Sequence, residues 1–480
     1  MIAEPLLPTI DLTLKAPIDP LQYRPMLEKL QGNILKSHGH DHVRLLLLRF
    51  SATVPGVRGW VRSFAANWIT SAQEQLEERK ACPQRQERGV FGSLLLTAWG
   101  YETLGYPLDE VKTRFKEQDP GPAVKFTAGM AGARAVLNDP DCSTWEKPYK
   151  FCREQPIHAM AVLAASSGPM LEWASGKVER SLEGVCEIVG LETGAVLRDQ
   201  KNRSVEPFGF ADGISQPLFF QDDVDRAKRG GGTSAWDPAA PLSLALIADP
   251  FTDDPDCFGS FLVFRKLEQN VKGFRERLRD VARVFTGGDE ELAGAFVVGR
   301  FRNGVPVIAH RNAVDADSNF NNFNYFQDPN GARCPVHAHT RKTNQRGVGS
   351  GPAVKEERMH RIVRRGVPYD SRPVREGEAE EGVGLLFLCF QADIGNQFAF
   401  IQERWANKPD FPVGAAGVDP LIGKAPAGQV PDQQWQAGWD AVSKSPDHVS
   451  FGQFVTLKGG EFFFAPSIPF LRRLITPGGT

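Results

Sequence analysis

The feature that most constrains this chain is a strand that runs straight into an amphipathic helix. Gly259–Phe264 (GSFLVF) is a short apolar run of the length and composition of a buried strand. Behind it, Val271, Phe274, Leu278, Val281 and Phe285 recur at spacings of three and four, giving one apolar helical face. Such a face has to be covered by a sheet or another helix. The same rhythm runs through the rest of the chain. His42–Phe50 (HVRLLLLRF) reads as a buried strand followed by a helix around Val57–Trp68. Ile157–Ala165 reads as a second strand leading to a helix from about Pro169 to Leu182, with Val185–Val189 as a closing strand. Gly384–Phe390 (GLLFLCF) reads as a strand, Ile394–Ala406 as a helix and Glu461–Ala465 as the final strand. Strands this few and this separated, alternating with helices, predict an α+β fold of antiparallel sheets covered by helices. The polar link Arg198–Glu206 divides the chain into 1–205 and 206–480.

A length of 480 residues gives each part a sizeable core. The formal net charge of −2 offers no bulk attraction for nucleic acid or an anionic membrane. No run reaches the roughly 20 apolar residues that span a bilayer. Met1–Lys15 lacks the basic and apolar regions of a secretory signal, and Pro477-Gly478-Gly479-Thr480 carries no readable targeting extension, so the expected compartment is the cytoplasm. The seven cysteines, at 82, 142, 152, 186, 257, 334 and 389, include no Cys-x-x-Cys pair and read as reduced, mostly buried residues. Long irregular segments, Asn312–Asn330 and Gly347–Glu356, are of the kind found around binding sites.

Three segments can carry chemistry. Pro207-Phe208-Gly209-Phe210-Ala211-Asp212-Gly213-Ile214-Ser215-Gln216-Pro217 sets one carboxylate among glycines and apolar residues. An ionised Asp is costly to desolvate, so it needs a partner there or work for its proton, unless it merely caps a turn. Gly213 lets the backbone pass close to a flat ligand. Arg333-Cys334-Pro335-Val336-His337-Ala338-His339-Thr340-Arg341-Lys342 presents imidazoles beside cations, as an anionic planar cofactor would require. Arg364 sits between apolar residues and a Gly-x-Pro turn, where it could stabilise charge in a dry pocket. Of the other histidines, His38, His40 and His42 form a cluster that reads chiefly as an exposed polar loop and otherwise as a metallohydrolase fragment. His158 reads as a buried or edge residue, while His310, His360 and His448 stand outside any partner motif.

Together these segments resemble the dye-decolourising peroxidase family of haem enzymes, in its larger fungal- and cyanobacterial-like branch. Gly209–Gly213 is similar to the family's Gly-x-x-Asp-Gly motif, His339 to its iron-ligating histidine, and Arg364 to its distal arginine. Gln31–Leu35, Gly259–Phe264 and Gly460–Ser467 extend the likeness along nearly the whole chain. One departure is His337, where relatives usually carry a small residue; the Ala-His-x-Arg-Lys string favours His339 as the ligand.

The resemblance implies two ferredoxin-like α+β domains, with one b-type haem per chain held mainly by the second. It implies Asp212 as distal acid and base, Arg364 as charge stabiliser and Gly213 close to the haem. Arg341 and Arg333 would meet the propionates, and Leu385 and Phe387 would wall the distal pocket. A carboxylate on the far nitrogen of the ligating imidazole matches Asp419, with Asp393 as the weaker alternative and a helix cap as the other role for either. Tyr369 and Trp405 match surface oxidation sites of some relatives and read equally well as ordinary half-buried aromatics. The substrates would be hydrogen peroxide and an organic reductant such as a dye or phenolic, with no membrane insertion; the resemblance leaves room for a homo-oligomer. The competing reading is a non-catalytic haem carrier or deferrochelatase-like protein, which would use His339 but need neither Asp212 nor Arg364.

Overall fold

The computed structural model describes residues 10–13, 18–51, 53–84, 88–117, 124–150, 154–313, 320–347, 352–372, 378–425, 432–441, 443–445 and 449–474. Cys152, His448 and Pro477–Thr480 lie outside them, as do most of Met1–Lys15 and parts of the 312–330 and 347–356 segments.

The first half supplies β1 (His42–Phe50), β2 (Phe91–Leu96), β3 (Ala159–Ala165) and β4 (Cys186–Ala195). The polar link carries a small hairpin, β5 (Leu197–Arg198) with β6 (Ser204–Val205). The second half adds β7 (Ile247–Ala248), β8 (Phe258–Gln269), β9 (Val363–Arg364), β10 (Val367–Asp370), β11 (Val383–Gln391) and β12 (Val455–Ala465). Among the described residues ten strands form one sheet in the order β10-β11-β8-β12-β2-β3-β1-β4, with β7 beside β8 and β9 beside β11. Every named pairing in it is antiparallel. The architecture is therefore α+β, with the four-stranded ferredoxin-like pattern in each half.

β1 is a nearly unbroken apolar run because β3 and β4 flank it and both its faces are buried. β2 was not expected from the sequence. Its Gly92 sits where a Cβ would lie 2.3 Å from the Trp68 carbonyl oxygen, so packing selects glycine there over a strand former. The halves join where Phe464 of β12 pairs with Leu96 of β2. The outermost strands also meet: a Cβ on Gly194 of β4 would lie 2.7 Å from a Val367 methyl of β10. The sheet thus curls until its two ends pack together.

The helix Val271–Phe285 covers the second core as its periodicity predicts, with all five stripe residues buried. Phe274 stacks on Phe208 at 4.1 Å between ring centroids, which ties the helix to the loop that carries Asp212.

Glu461 of β12 is 2% exposed and accepts from the Met130 and Phe462 N–H groups at 2.8 Å each. Burial nevertheless pushes its carboxyl up to about 7. A raised carboxyl holds its proton better folded than unfolded, so its contribution to stability is present below the ordinary Glu range and is lost as pH rises through about 7. Glu461→Gln should flatten the stability profile between about pH 4.5 and about pH 7, and stabilise the protein above that range by about 3 kcal/mol. Urea unfolding across this range tests it; an unchanged slope refutes the assignment.

Candidate active site

The loop after β6 folds back beneath the hairpin. Val205 bridges Ala211, the Asp212 N–H donates to the Ser204 carbonyl at 3.0 Å, and the Ala211 N–H donates to Arg302 at 2.9 Å. Gly209 and Gly213 adopt φ of +96° and +79°, so the chain turns on both sides of Asp212. The Gly213 N–H donates to Asp212 Oδ1 at 2.6 Å, and Arg364 Nη1 lies 3.7 Å from the same oxygen. Arg364 is set by β9, opposite Cys389 of β11. Its Nη2 donates to the Ile214 carbonyl at 2.6 Å and its backbone N–H to Gln216 at 3.1 Å. On β11, Leu385 and Phe387 are two residues apart and so share one face.

Asp212, Gly213, Arg364, Leu385, Phe387 and His339 all line one cavity, whose walls come entirely from residues 206–457. His339 opens a single helical turn, His339–Lys342, and its Nδ1 lies 2.9 Å from Asp419 Oδ2. The other Asp419 oxygen accepts from the Leu421 and Ile422 N–H groups at 2.8 and 3.0 Å. Burial alone would raise this carboxyl, but the imidazole and the two N–H groups outweigh it and hold it below its ordinary value. With Nδ1 committed to the carboxylate, Nε2 is the nitrogen left for the cavity. Asp393, the alternative partner, instead accepts from the Asn396 N–H at 2.9 Å as a cap. His337 is fully buried outside the cavity, edge-on to Trp435 at 4.4 Å, and burial pushes its pKa down to about 3.

Other expectations need correction. Arg341 does not reach the cavity. It is fully buried, pairs with Asp328 at 3.1 Å and donates to the Cys334 carbonyl at 2.6 Å. Two residues along a helix turn the direction by about 200°, so His339 and Arg341 point apart. Arg333 is at the surface, paired with Asp440 at 2.9 Å and lying over Trp439. The cations that do line the cavity are others, chiefly Arg300, Arg346 and Arg361. Their hydrogen bonds go to carbonyl, amide and hydroxyl oxygens, and none makes an ion pair with a carboxylate among the described residues. Burial accordingly pulls them down to about 10, about 9 and about 10. Arg300 had a signal in the sequence, a lone cation inside the apolar run FVVGRF.

Tyr369 and Trp405 are not at the surface, with exposures of 5% and 7%. The Tyr369 hydroxyl has no hydrogen-bond partner among the described residues, and burial raises its pKa. Trp405 lies flat on Phe411 and edge-on to His360 and Phe400. The segment Ile394–Ala406 is helical but wound wide. The Ala399 N–H donates to Ile394 at 2.9 Å and the Asn407 N–H to Gln402 at 3.0 Å, each spanning five residues. This winding lets the consecutive residues Ile401 and Gln402 both line the cavity. His38 and His40 are buried, not exposed, and no metal-holding group of three His, Cys, Asp or Glu occurs among the described residues. His158 is half-buried, accepting from the Phe50 N–H at 3.0 Å.

A flat, largely apolar molecule carrying carboxylates suits this cavity. Phe and Leu side chains form its walls, one backed imidazole nitrogen is left for a metal, and buried Arg300 and Arg346 with half-buried Arg361 make no ion pair among the described residues. Comparisons with known proteins agree. Residues 246–411 match the model of the Dyp-type peroxidase C-terminal region. A multifunctional dye peroxidase of Amycolatopsis sp. is 39% identical over 470 residues, 94% of this chain and 96% of the relative. The crystal structure of a DyP-type peroxidase of Anabaena sp. superposes with a TM-score of 0.88 at 40% identity, covering 97% of this chain and all of that one. A likeness to the deferrochelatase of Yersinia pestis is confined to 81 residues, 17% of this chain. The chain belongs to the dye-decolourising, Dyp-type peroxidase family, whose members are haem-dependent enzymes. Among the described residues no helix is long and apolar enough to cross a membrane.

Removing one partner of a buried pair strands the other, at about 3–5 kcal/mol. Arg341→Ala should therefore lower stability by about that much in urea unfolding of the haem-free protein. It should leave haem affinity under folding conditions within about threefold, since Arg341 lies outside the cavity. A large loss of affinity without loss of stability would restore Arg341 to the site.

Proposed function

We propose that this chain reduces hydrogen peroxide at one b-type haem held by residues 206–480 and draws electrons from dyes, phenolics or other organic donors. The observation that carries this reading is the Asp212–Arg364 pair, 3.7 Å apart, in the same cavity as an Asp419-backed His339. A haem carrier would need only the histidine. The division into domains 1–205 and 206–480 is part of the proposal, supported by a cavity lined from residue 206 onward. The six described cysteines are free, in keeping with a cytoplasmic location.

When bound, haem would supply the iron that accepts an oxygen of peroxide and stores its oxidising equivalents. His339 would ligate through Nε2, with Asp419 fixing the tautomer and making the imidazole a stronger donor. Asp212 would take the proton from the inner peroxide oxygen and return it to the outer one, so that water leaves. The Gly213 N–H, donating to its Oδ1, holds the carboxyl in place. Arg364, held at Ile214 and Gln216, would stabilise the departing negative charge without having to reorganise. Leu385 and Phe387 would keep bulky donors out. Arg300, Arg346 and Arg361 would receive the propionates, replacing Arg341 and Arg333. Tyr369 and Trp405 are too buried to touch a donor, so either could serve only as an internal station for electrons.

Stopped-flow mixing of the haem-loaded protein with peroxide tests the roles. Asp212→Asn and Arg364→Leu should each slow the first spectral change by about 100-fold; wild-type rates in both would overturn the assignment. His339→Ala should lose the parent haem spectrum, and Asp419→Asn should weaken haem binding by roughly 10- to 100-fold in a titration of the absorption band. If His339→Ala keeps that spectrum, the ligand lies elsewhere.

A further inference from the structure

A second cavity, of about 300 Å³, adjoins the first. Asp212, Gly213, Arg364 and Gly366 line both, so the distal pair stands between two chambers. The second chamber draws much of its wall from the first half of the chain, including Asn33, Ser37, His38, His40, Ser93 and Ser204. It has room for several water molecules, and these side chains offer the hydrogen bonds that ordered water needs. Ser37 is exposed, which gives the chamber a route to solvent.

The two histidines of this chamber are held differently. The His40 N–H donates to His38 Nδ1 at 3.0 Å. That nitrogen must keep its lone pair, so His38 carries its proton on Nε2 and stays neutral while the bond lasts. His40 Nδ1 lies 3.1 Å from the Ser166 hydroxyl, which can donate to a bare nitrogen or accept from a protonated one. His40 can therefore change protonation state without losing its partner. Around the pair stand the guanidinium groups of Arg79 and Arg88 beside Gly39, and of Arg364 and Arg365 on the chamber wall. The carboxylate on the chamber wall is Asp212, while Asp41, next to His40 in the chain, is paired with Arg198 at 2.6 Å.

Reduction of one hydrogen peroxide to two waters consumes two electrons and two protons. A donor excluded from the first cavity delivers electrons through the protein, so the protons need a route of their own. We propose that His40 is the station through which the Asp212 carboxyl exchanges protons with bulk solvent across the second chamber, with His38 as its positioning residue. Only protons cross: from solvent near Ser37 to the His40 ring, through the chamber's water to Asp212, and back by the same path. The proposal rests on reading Asp212 as the distal acid and base.

Cyanide and carbon monoxide separate proton traffic from access. Hydrogen cyanide surrenders a proton when it binds ferric haem, whereas carbon monoxide binds ferrous haem without one. In stopped-flow measurements on the haem-loaded protein, His40→Gln should slow cyanide binding about 10-fold near neutral pH. It should also abolish the rise in rate through the imidazole range expected of the parent, and leave carbon monoxide binding within about twofold. His38→Gln should slow cyanide less and keep that rise. A parent-like cyanide rate and pH profile in His40→Gln, or an equal slowing of carbon monoxide, overturns the relay. If Asp212→Asn slows cyanide and His40→Gln does not, the relay alone fails. If Asp212→Asn binds cyanide at the parent rate, the distal assignment fails and the relay with it.

Discussion

Arg265 and Asp139 share two hydrogen bonds almost wholly out of water, with side chains 5% and 1% exposed. The next residue, Lys266, reaches Glu146 at 2.7 Å and Glu192 at 2.9 Å. Both cations belong to β8, in the middle of the second half, and all three carboxylates belong to the first. Successive residues of a strand point to opposite faces, so β8 is anchored to the other half on both sides. Buried pairs of this kind contribute little net stability when intact, but leaving one partner alone is severe. The docking of the halves is therefore a matter of fit. Arg265 also lines the active cavity, so Asp139, which touches none of that space, helps to set its wall.

Charge is distributed around the cavity by the same logic, with one asymmetry. Asp419 is compensated several times over, by an imidazole and two backbone N–H groups. Among the described residues, Arg300, Arg346 and Arg361 hydrogen-bond only to neutral oxygens. A buried cation without a paired anion is expensive, so Arg300 and Arg346, with half-buried Arg361 beside them, favour negative charge in the cavity. Binding of an anionic cofactor there would be linked to the stability of the loaded protein.

Much of this was legible in the sequence, and the rest failed for identifiable reasons. The face of the helix Val271–Phe285 was readable because a 3.6-residue period leaves a mark on side-chain type. The Gly209–Gly213 turn was readable because left-handed backbone selects glycine. β2 was missed because close backbone contact, which favours Gly92, overrides strand propensity. Arg333 and Arg341 were misplaced because a basic residue near a ligand motif says nothing of its direction along a one-turn helix. The burial of His38, His40, Tyr369 and Trp405 depends on contacts from distant segments, such as Phe91 stacking on His38 and His360 meeting Trp405 edge-on. No local pattern encodes those contacts.

The widened winding of Ile394–Ala406 bears on how related chains ought to be aligned. A turn closed over five residues holds one residue more than an ordinary helical turn of the same rise. Deleting a residue there would leave hydrophobicity and helix propensity intact, yet would rotate Gln402 and Trp405 away from their present neighbours. In this segment the count of residues, more than their identity, is what the site inherits.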